Sequence, residues 1–360
     1  MLYALMCQDR VERKGGDSVA SKSKGPKAGK VPDATIASLG NTYFTWINAH
    51  EDAATTFRHA LHELMRDAAV NFDRVDARVK TWPSLKEKAR KMRDGTPVYP
   101  DPWNDIKDII GTRVTVLHST EIPAVQRLLA EEFEVLRSVD KTEETRIAGG
   151  FGYGSHHLVL RVPDNAEGLE EYVGTTFEVQ IRTVLQHAWA EFEHDVRYKR
   201  STEGANPQVD RAFTLAAGLI ELADQQFDQI AGLTDLHPDE DTDEDSQFAP
   251  ETLPGILTML LGSRYPLSRA GDYRFLNELL RAHGIERVSQ VAELINPADL
   301  EAVSNSLEYT FVPGQVRLVD DLLLNRYGAD HIERTWDSGN RPKVRKVRLT
   351  RRLEQLRSAG

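Results

Sequence analysis

Two short runs place carboxylates beside arginines in otherwise β-branched sequence. In DIIGTR, Asp108 precedes a candidate strand by a few residues and Arg113 sits within it. EVQIRT opens on Glu178, and the two-residue strand period puts Gln180 and Arg182 on the same side. Two carboxylates on neighbouring strands can share a hard cation, and Mg2+, or Mn2+ in its place, is held by one or two carboxylates plus substrate phosphates. Asp108 and Glu178 are therefore the candidate catalytic and metal-binding pair, suited to phosphoryl transfer from a nucleotide. For any two isolated acids the alternative is a solvent-facing strand residue paired with a neighbouring arginine. Upstream, Arg78, Lys80, Lys86 and Lys88 would line up cations beside that metal, as a triphosphate donor requires.

A third piece is the run GFGYGSHHL, which ends at Leu158. Glycines flank Tyr153, leaving the backbone free to bend and the ring exposed enough to stack on a base. Ser155 and His157 follow at strand spacing on one face; the three could equally form a hydrogen-bonded strand edge with no ligand. In VLQHAWAEFEHDVRYK, Trp189 and Glu193 stand one helical turn apart, and Trp189 reads as a core anchor.

These residues need elements to hold them. Phe57, Leu61, Leu64, Met65, Ala68 and Phe72 fall on one helix face, predicting an amphipathic helix over 51–72. Ser84 with Glu87 three residues on has the capping-box pattern and would open a second helix carrying Leu85, Ala89 and Met92 on one face. Segments 111–118, 155–162 and 175–182 read as strands, 121–132, 183–198 and 209–230 as helices. The fold class expected is α/β (α+β), a mixed sheet flanked by helices, followed over 251–338 by a small all-α accessory domain of short helical runs. No internal repeat is present.

Charge marks the boundaries. Residues 1–34 read as a disordered basic arm, since seven Lys or Arg lie among Gly, Ser and Pro over 10–30. Seven of the eleven residues from Asp235 to Asp245 are acidic, which predicts a linker over 233–250 between a catalytic domain at 35–232 and the helical unit. The last twenty residues hold eight Lys or Arg and one acid, so 339–360 reads as a basic tail, by default a solvated terminal helix. With 45 basic against 56 acidic residues the formal charge is −11, which argues against a protein that coats nucleic acid with its whole surface. The 40% hydrophobic content supplies a real core, and the lone Cys7 excludes a disulfide scaffold or Cys-rich zinc site. No apolar run approaches a membrane span and no signal sequence is evident, so a cytoplasmic location with no membrane contact is expected.

Taken in order, RVK…S…K, DxxGxR, GYxSxH, EVQIRT and a helix with W…EH…YK resemble the synthetase domain of the RelA/SpoT family, the alarmone (p)ppGpp synthetases, over about residues 45–200. The resemblance implies a nucleotidyltransferase-like fold and pyrophosphate transfer from ATP to the ribose 3′-hydroxyl of an acceptor nucleotide. It implies that Arg78 and Arg113 sandwich adenine and that Lys80 and Lys88, with Ser84 of the same motif, hold the ATP phosphates. Asp108 would bind Mg2+, and Glu178 would bind it too or act as base on the acceptor hydroxyl. Tyr153 would stack on the acceptor base, with Ser155, His157 and Gln180 nearby.

This chain also departs from the pattern. Where the alarmone makers carry PKxNGYRSLH, the cationic positions are Gly149 and Gly154 here. Two contacts to the acceptor's 5′ phosphates are missing, each worth about 1.5–3 kcal/mol, and Lys141 would compensate only in part. Relatives lacking this basic patch resemble toxins that pyrophosphorylate the 3′ CCA end of tRNA. No separate His-Asp hydrolase unit is expected, since His194-Asp195 belongs to the synthetase helix. Three readings follow: an alarmone synthetase using GDP or GTP, a tRNA-modifying toxin-like enzyme, and a non-catalytic nucleotide-binding protein. An antitoxin or regulatory protein, and a second copy of the chain, are candidate partners.

Overall fold

The computed structural model describes residues 30–141, 154–199, 207–233, 247–339 and 342–358. Most of the basic arm, Gly149, Tyr153 and most of the acidic linker therefore lie outside the described residues.

Helices α1 (Asp33–Ala49) and α2 (Ala53–Asp67) precede β1 (Phe72–Val79), α3 (Trp82–Ala89), a two-residue hairpin β2 (Met92–Arg93) and β3 (Thr96–Pro97), and α4 (Pro102–Asp105). Then come β4 (Ile110–Val116), α5 (Ile122–Glu132), β5 (Glu134–Asp140), β6 (His156–Arg161) and β7 (Thr176–Thr183). Two long helices follow, α6 (Val184–Lys199) and α7 (Pro207–Leu233). The main sheet has the order β1-β4-β7-β6-β5. Its central pair β4 and β7 is parallel and its other pairs are antiparallel, the mixed sheet expected.

Alternation along β7 separates the two faces. Phe177, Val179, Ile181 and Thr183 are buried, whereas Thr176, Glu178, Gln180 and Arg182 point to the other side. The buried face packs on Phe57, Leu61 and Met65 of α2 and Val125, Leu128 and Leu129 of α5. A second apolar cluster joins Ile36, Leu39 and Tyr43 of α1 to Leu85 and Ala89 of α3, anchoring the segment that carries the lysines.

Two local expectations are corrected. The helix read over 51–72 ends at Asp67, because Ala69 takes a left-handed φ of 57° and the Val70 N–H closes back on the Met65 carbonyl at 2.9 Å. Phe72 keeps its buried place, but as the first residue of β1. Nor does Ser84 cap a helix. Helix α3 starts at Trp82, with Pro83 in its first turn, and the Ser84 hydroxyl instead accepts from Thr81 Oγ1 at 3.1 Å.

The C-terminal region is helical as expected: α8 (Leu253–Leu261), α9 (Ala270–Ala282), α10 (Val288–Leu294), α11 (Pro297–Leu307), α12 (Gln315–Tyr327), α13 (Ala329–Thr335) and α14 (Pro342–Ser358). It has its own core, with Leu276, Leu279, Leu280, Val291, Leu318 and Leu323 at 0% exposure. The basic tail, however, is not a solvated terminal helix. In α14, Leu349, Arg352 and Leu353 are buried, and Arg348 meets Glu63 at 3.0 Å, Glu167 at 2.8 Å and Asp67 at 2.5 Å. Arg317 of α12 also pairs with Asp67. Burial opposes the Asp67 charge, but Arg348, Arg317 and Arg352 outweigh it and hold this carboxyl well below the ordinary range. The helical unit is thus seated on the end of α2, where Gly314 N donates to the Asp67 carbonyl at 2.7 Å. A side chain at Gly314 would meet Ala69 Cβ at 2.7 Å, so this close approach requires glycine.

Candidate functional site

The face of the sheet opposite α2 and α5 carries the polar residues, and the strand registers place them in rows. Arg78 of β1 pairs with Gly111 of β4, Gly111 with Glu178 of β7, and Glu178 with Val159 of β6. The next row runs Asp76, Arg113, Gln180, His157. Five residues from four separate motifs (Arg78, Arg113, His157, Glu178 and Gln180) therefore share two adjacent rows of one face.

At the entry to this face a lysine pair converges on Asp108, which lies two residues before β4. Lys88 of α3 donates to Asp108 Oδ2 at 2.8 Å, and Lys80, just after β1, reaches the same oxygen at 3.1 Å. The Lys80 backbone N–H bonds the Ile109 carbonyl at 2.7 Å and its carbonyl accepts from Tyr43 Oη at 3.1 Å, so Lys80 is held from both sides. Burial raises the cost of charge on Asp108, but Lys88 and Lys80 more than offset it and keep the carboxyl below its usual range. Asp108 Oδ1 is buried and finds no hydrogen-bond partner among the described residues. A buried, partnerless carboxylate oxygen is what a hard cation would take, so Asp108 fits a divalent metal. Among the described residues no group of three or more His, Cys, Asp or Glu would hold a metal unaided. Substrate phosphates would have to complete the coordination.

Glu178 is engaged differently. Its Oε1 accepts from His157 Nδ1, and the Ser155 hydroxyl donates to His157 Nε2 at 2.6 Å. Because a carboxylate only accepts, Nδ1 carries a ring proton, and in the Nδ1–H tautomer Nε2 accepts the Ser155 hydroxyl hydrogen bond. Ser155 is itself buried, and its carbonyl accepts from the Lys141 backbone N–H at 3.1 Å.

Two partners of the site escaped the sequence reading. Arg113 Nη1 donates to His187 Nδ1 at 3.0 Å and to Glu191 Oε1 at 3.3 Å, both on α6. Burial lowers the His187 pKa, and the Arg113 charge lowers it further, so the ring is a neutral acceptor. The available signal was their spacing of four, which puts both on one turn of α6. Trp189 is buried against Phe213, the anchor expected of it. The base of α6 is tied down by Thr183, whose Oγ1 donates to Asp224 Oδ2 at 2.7 Å and accepts from Gln186 N at 3.0 Å. Ser84 stands exposed at the first turn of α3.

Residues 77–203 match a family described as a region found in RelA / SpoT proteins. The chain is 31% identical over 163 residues to the GTP pyrophosphokinase YjbM of Bacillus subtilis (strain 168), covering 44% of this chain and 71% of YjbM. It is 32% identical over 128 residues to the GTP pyrophosphokinase YwaC of the same organism, covering 35% of this chain. The match spans 59% of the length of YwaC. Among solved structures, the small alarmone synthetase 1 from Bacillus subtilis is similar with a TM-score of 0.44 and 23% identity, over 54% of this chain and 97% of that one. The same protein bound to its product pppGpp gives 0.42 and 23%, over 54% and 99%.

Proposed function

The chain belongs to the RelA/SpoT family, and on that premise we propose that it is an ATP-dependent pyrophosphokinase that transfers the β,γ-pyrophosphoryl group of ATP to the ribose 3′-hydroxyl of GDP or GTP. The observation carrying this reading is the shared sheet face: Arg78, Arg113, Glu178, Gln180 and His157 in two adjacent rows, with Lys80 and Lys88 on Asp108 at the entry.

Phosphoryl transfer depends on positioning and charge neutralisation more than on covalent chemistry. The guanidinium planes of Arg78 and Arg113 would clamp adenine, and His187 and Glu191 hold Arg113 for that contact. Lys80 and Lys88, both held on Asp108, would meet the ATP phosphates. A divalent cation at Asp108, Mg2+ or Mn2+, would neutralise charge on the transferring phosphates. Glu178 would accept the 3′-hydroxyl proton as the acceptor oxygen bonds the β-phosphorus and AMP leaves. Tyr153, Ser155, Gln180 and Lys141 would border the acceptor.

The tRNA 3′ end is a second acceptor, favoured by Gly149 and Gly154 in place of two cations; in that reading an antitoxin is the expected partner. A cytoplasmic setting suits either acceptor, and no helix among the described residues is long and apolar enough to cross a membrane. Incubation with γ-labelled ATP and, in turn, GDP, GTP and bulk tRNA tests the proposal, since the labelled product names the acceptor.

A further inference from the structure

The geometry points to His157 as the positioning residue of the catalytic carboxylate rather than a ligand of the acceptor, with Ser155 as the group that sets its tautomer. The inference deepens the proposed function and rests on it.

Along β6 and β7, His157 pairs with Gln180, so Glu178 is its diagonal neighbour on the same face. Diagonal cross-strand neighbours are within reach of long side chains, and here the reach is used: His157 Nδ1 donates to Glu178 Oε1. The opposite ring nitrogen is occupied too, by the Ser155 hydroxyl at 2.6 Å. With both nitrogens engaged inside the protein, the ring has no donor left for an acceptor phosphate. Ser155 is 5% exposed, so its hydroxyl is committed to the ring rather than to solvent. The Glu178 backbone is held as well, its carbonyl accepting from Thr112 Oγ1 at 3.0 Å.

The consequence is chemical. Glu178 has two oxygens, and His157 holds one. The carboxylate plane is thereby set, and Oε2 is left to take the proton of the 3′-hydroxyl. The proton moves from the hydroxyl to Oε2 as the new oxygen–phosphorus bond forms and the bond from the β-phosphorus to the departing AMP breaks, while His157 keeps its hold on Oε1. A carboxylate free to rotate would seldom present that oxygen to a positioned hydroxyl.

Amide substitutions separate this role from phosphate binding. Asn carries its side-chain nitrogen at the position of His Nδ1, and Gln carries it at the position of Nε2. If His157 holds Glu178, H157N keeps the needed donor and H157Q does not. We expect H157Q and H157A to lose kcat by about a hundredfold with acceptor KM changed less than about threefold, and H157N to recover about a tenth or more of wild-type kcat. S155A should lower kcat less than H157A. In the wild-type protein, 15N NMR of the His157 ring should show the Nδ1–H tautomer, a readout that needs no turnover.

An acceptor KM raised tenfold in H157A with kcat retained, H157Q outperforming H157N, or an Nε2–H tautomer would overturn the inference. Absence of transfer by the wild-type protein to any acceptor would instead remove the proposed function. The NMR result stands apart from that outcome.

Discussion

Lys88 Nζ stands 2.8 Å from Asp108 Oδ2, bridging the last turn of α3 to the residues that lead into β4. The contact joins two motifs twenty residues apart and leaves Asp108 Oδ1 buried without a partner among the described residues. Asp108→Asn removes the charge that both lysines answer while keeping the volume. Pyrophosphoryl transfer should fall by about a hundredfold or more, in line with the loss of one preorganised electrostatic group. The fall should persist at saturating ATP, measured as single-turnover rate; a variant that regains the full rate at high ATP would make Asp108 a binding residue only.

Arg113 is held by His187 and Glu191, so it is presented as a fixed plane. Arg113→Lys keeps the charge and loses the plane, since an ammonium group cannot stack as guanidinium does. ATP affinity should drop about tenfold, the scale of a cation–π contact, while the fold is retained. Isothermal titration with a non-hydrolysable ATP analogue reads this directly. Equal affinity for the two proteins would mean that charge alone is used.

Asp224 lies buried at the junction of β7, α6 and α7, and burial, followed by the neighbouring Asp228, raises its pKa to about 7. The folded protein thus keeps a proton that the unfolded chain releases near pH 3.9. Folding stability should therefore decrease as pH rises from about 4 to about 7 and level off above. Asp224→Asn removes that slope and raises the urea midpoint at pH 8 relative to the wild type. An unchanged pH profile in the variant would contradict the assignment.

The interface between the helical unit and the sheet domain centres on Asp67, which meets Arg317, Arg348 and Arg352. Asp67→Ala takes one of its carboxylate partners from each of three buried guanidinium groups, which keep Asp321, Glu63 and Glu167 between them, and should destabilise the protein by about 3 kcal/mol. Hydrogen exchange should show α14 losing protection together with α2. Loss of protection in α14 alone, with the urea midpoint unchanged, would show that the two units do not share this contact energetically.

On the family resemblance, Gly154 stands where the pattern GYRSLH has its arginine. Gly154→Arg should raise use of GDP relative to tRNA, because one charge-assisted contact to a 5′ phosphate is worth about 1.5–3 kcal/mol. The ratio of kcat/KM values for the two acceptors at one fixed salt concentration measures it.

Much of the site was legible because strand period and motif order are local properties. Alternation in EVQIRT puts Glu178 and Gln180 on one side, and the structure adds only the register that sets Arg113 and His157 beside Gln180. Where a tertiary partner decides, the sequence is silent. Nothing near Arg348 indicates that Glu63, Asp67 and Glu167 will surround it, so a dense run of cations reads as a solvated helix until the fold brings the acids to it. The His157 contact was half-visible: its strand spacing with Ser155 was evident, but the partner of its second nitrogen lies on the next strand. Helix ends misled for a further reason, since a left-handed Ala69 stops α2 where propensity would continue it.

The most direct test of the central claim compares the wild type with Glu178→Gln, using γ-labelled ATP, Mg2+ and GDP, GTP or bulk tRNA in parallel. The proposed function predicts label in the guanosine nucleotide product for the wild type, with loss of turnover and largely retained ATP binding for Glu178→Gln. Label appearing only in tRNA would transfer the reading to the toxin-like acceptor. Label in no acceptor, or wild-type rates from Glu178→Gln, would contradict the account.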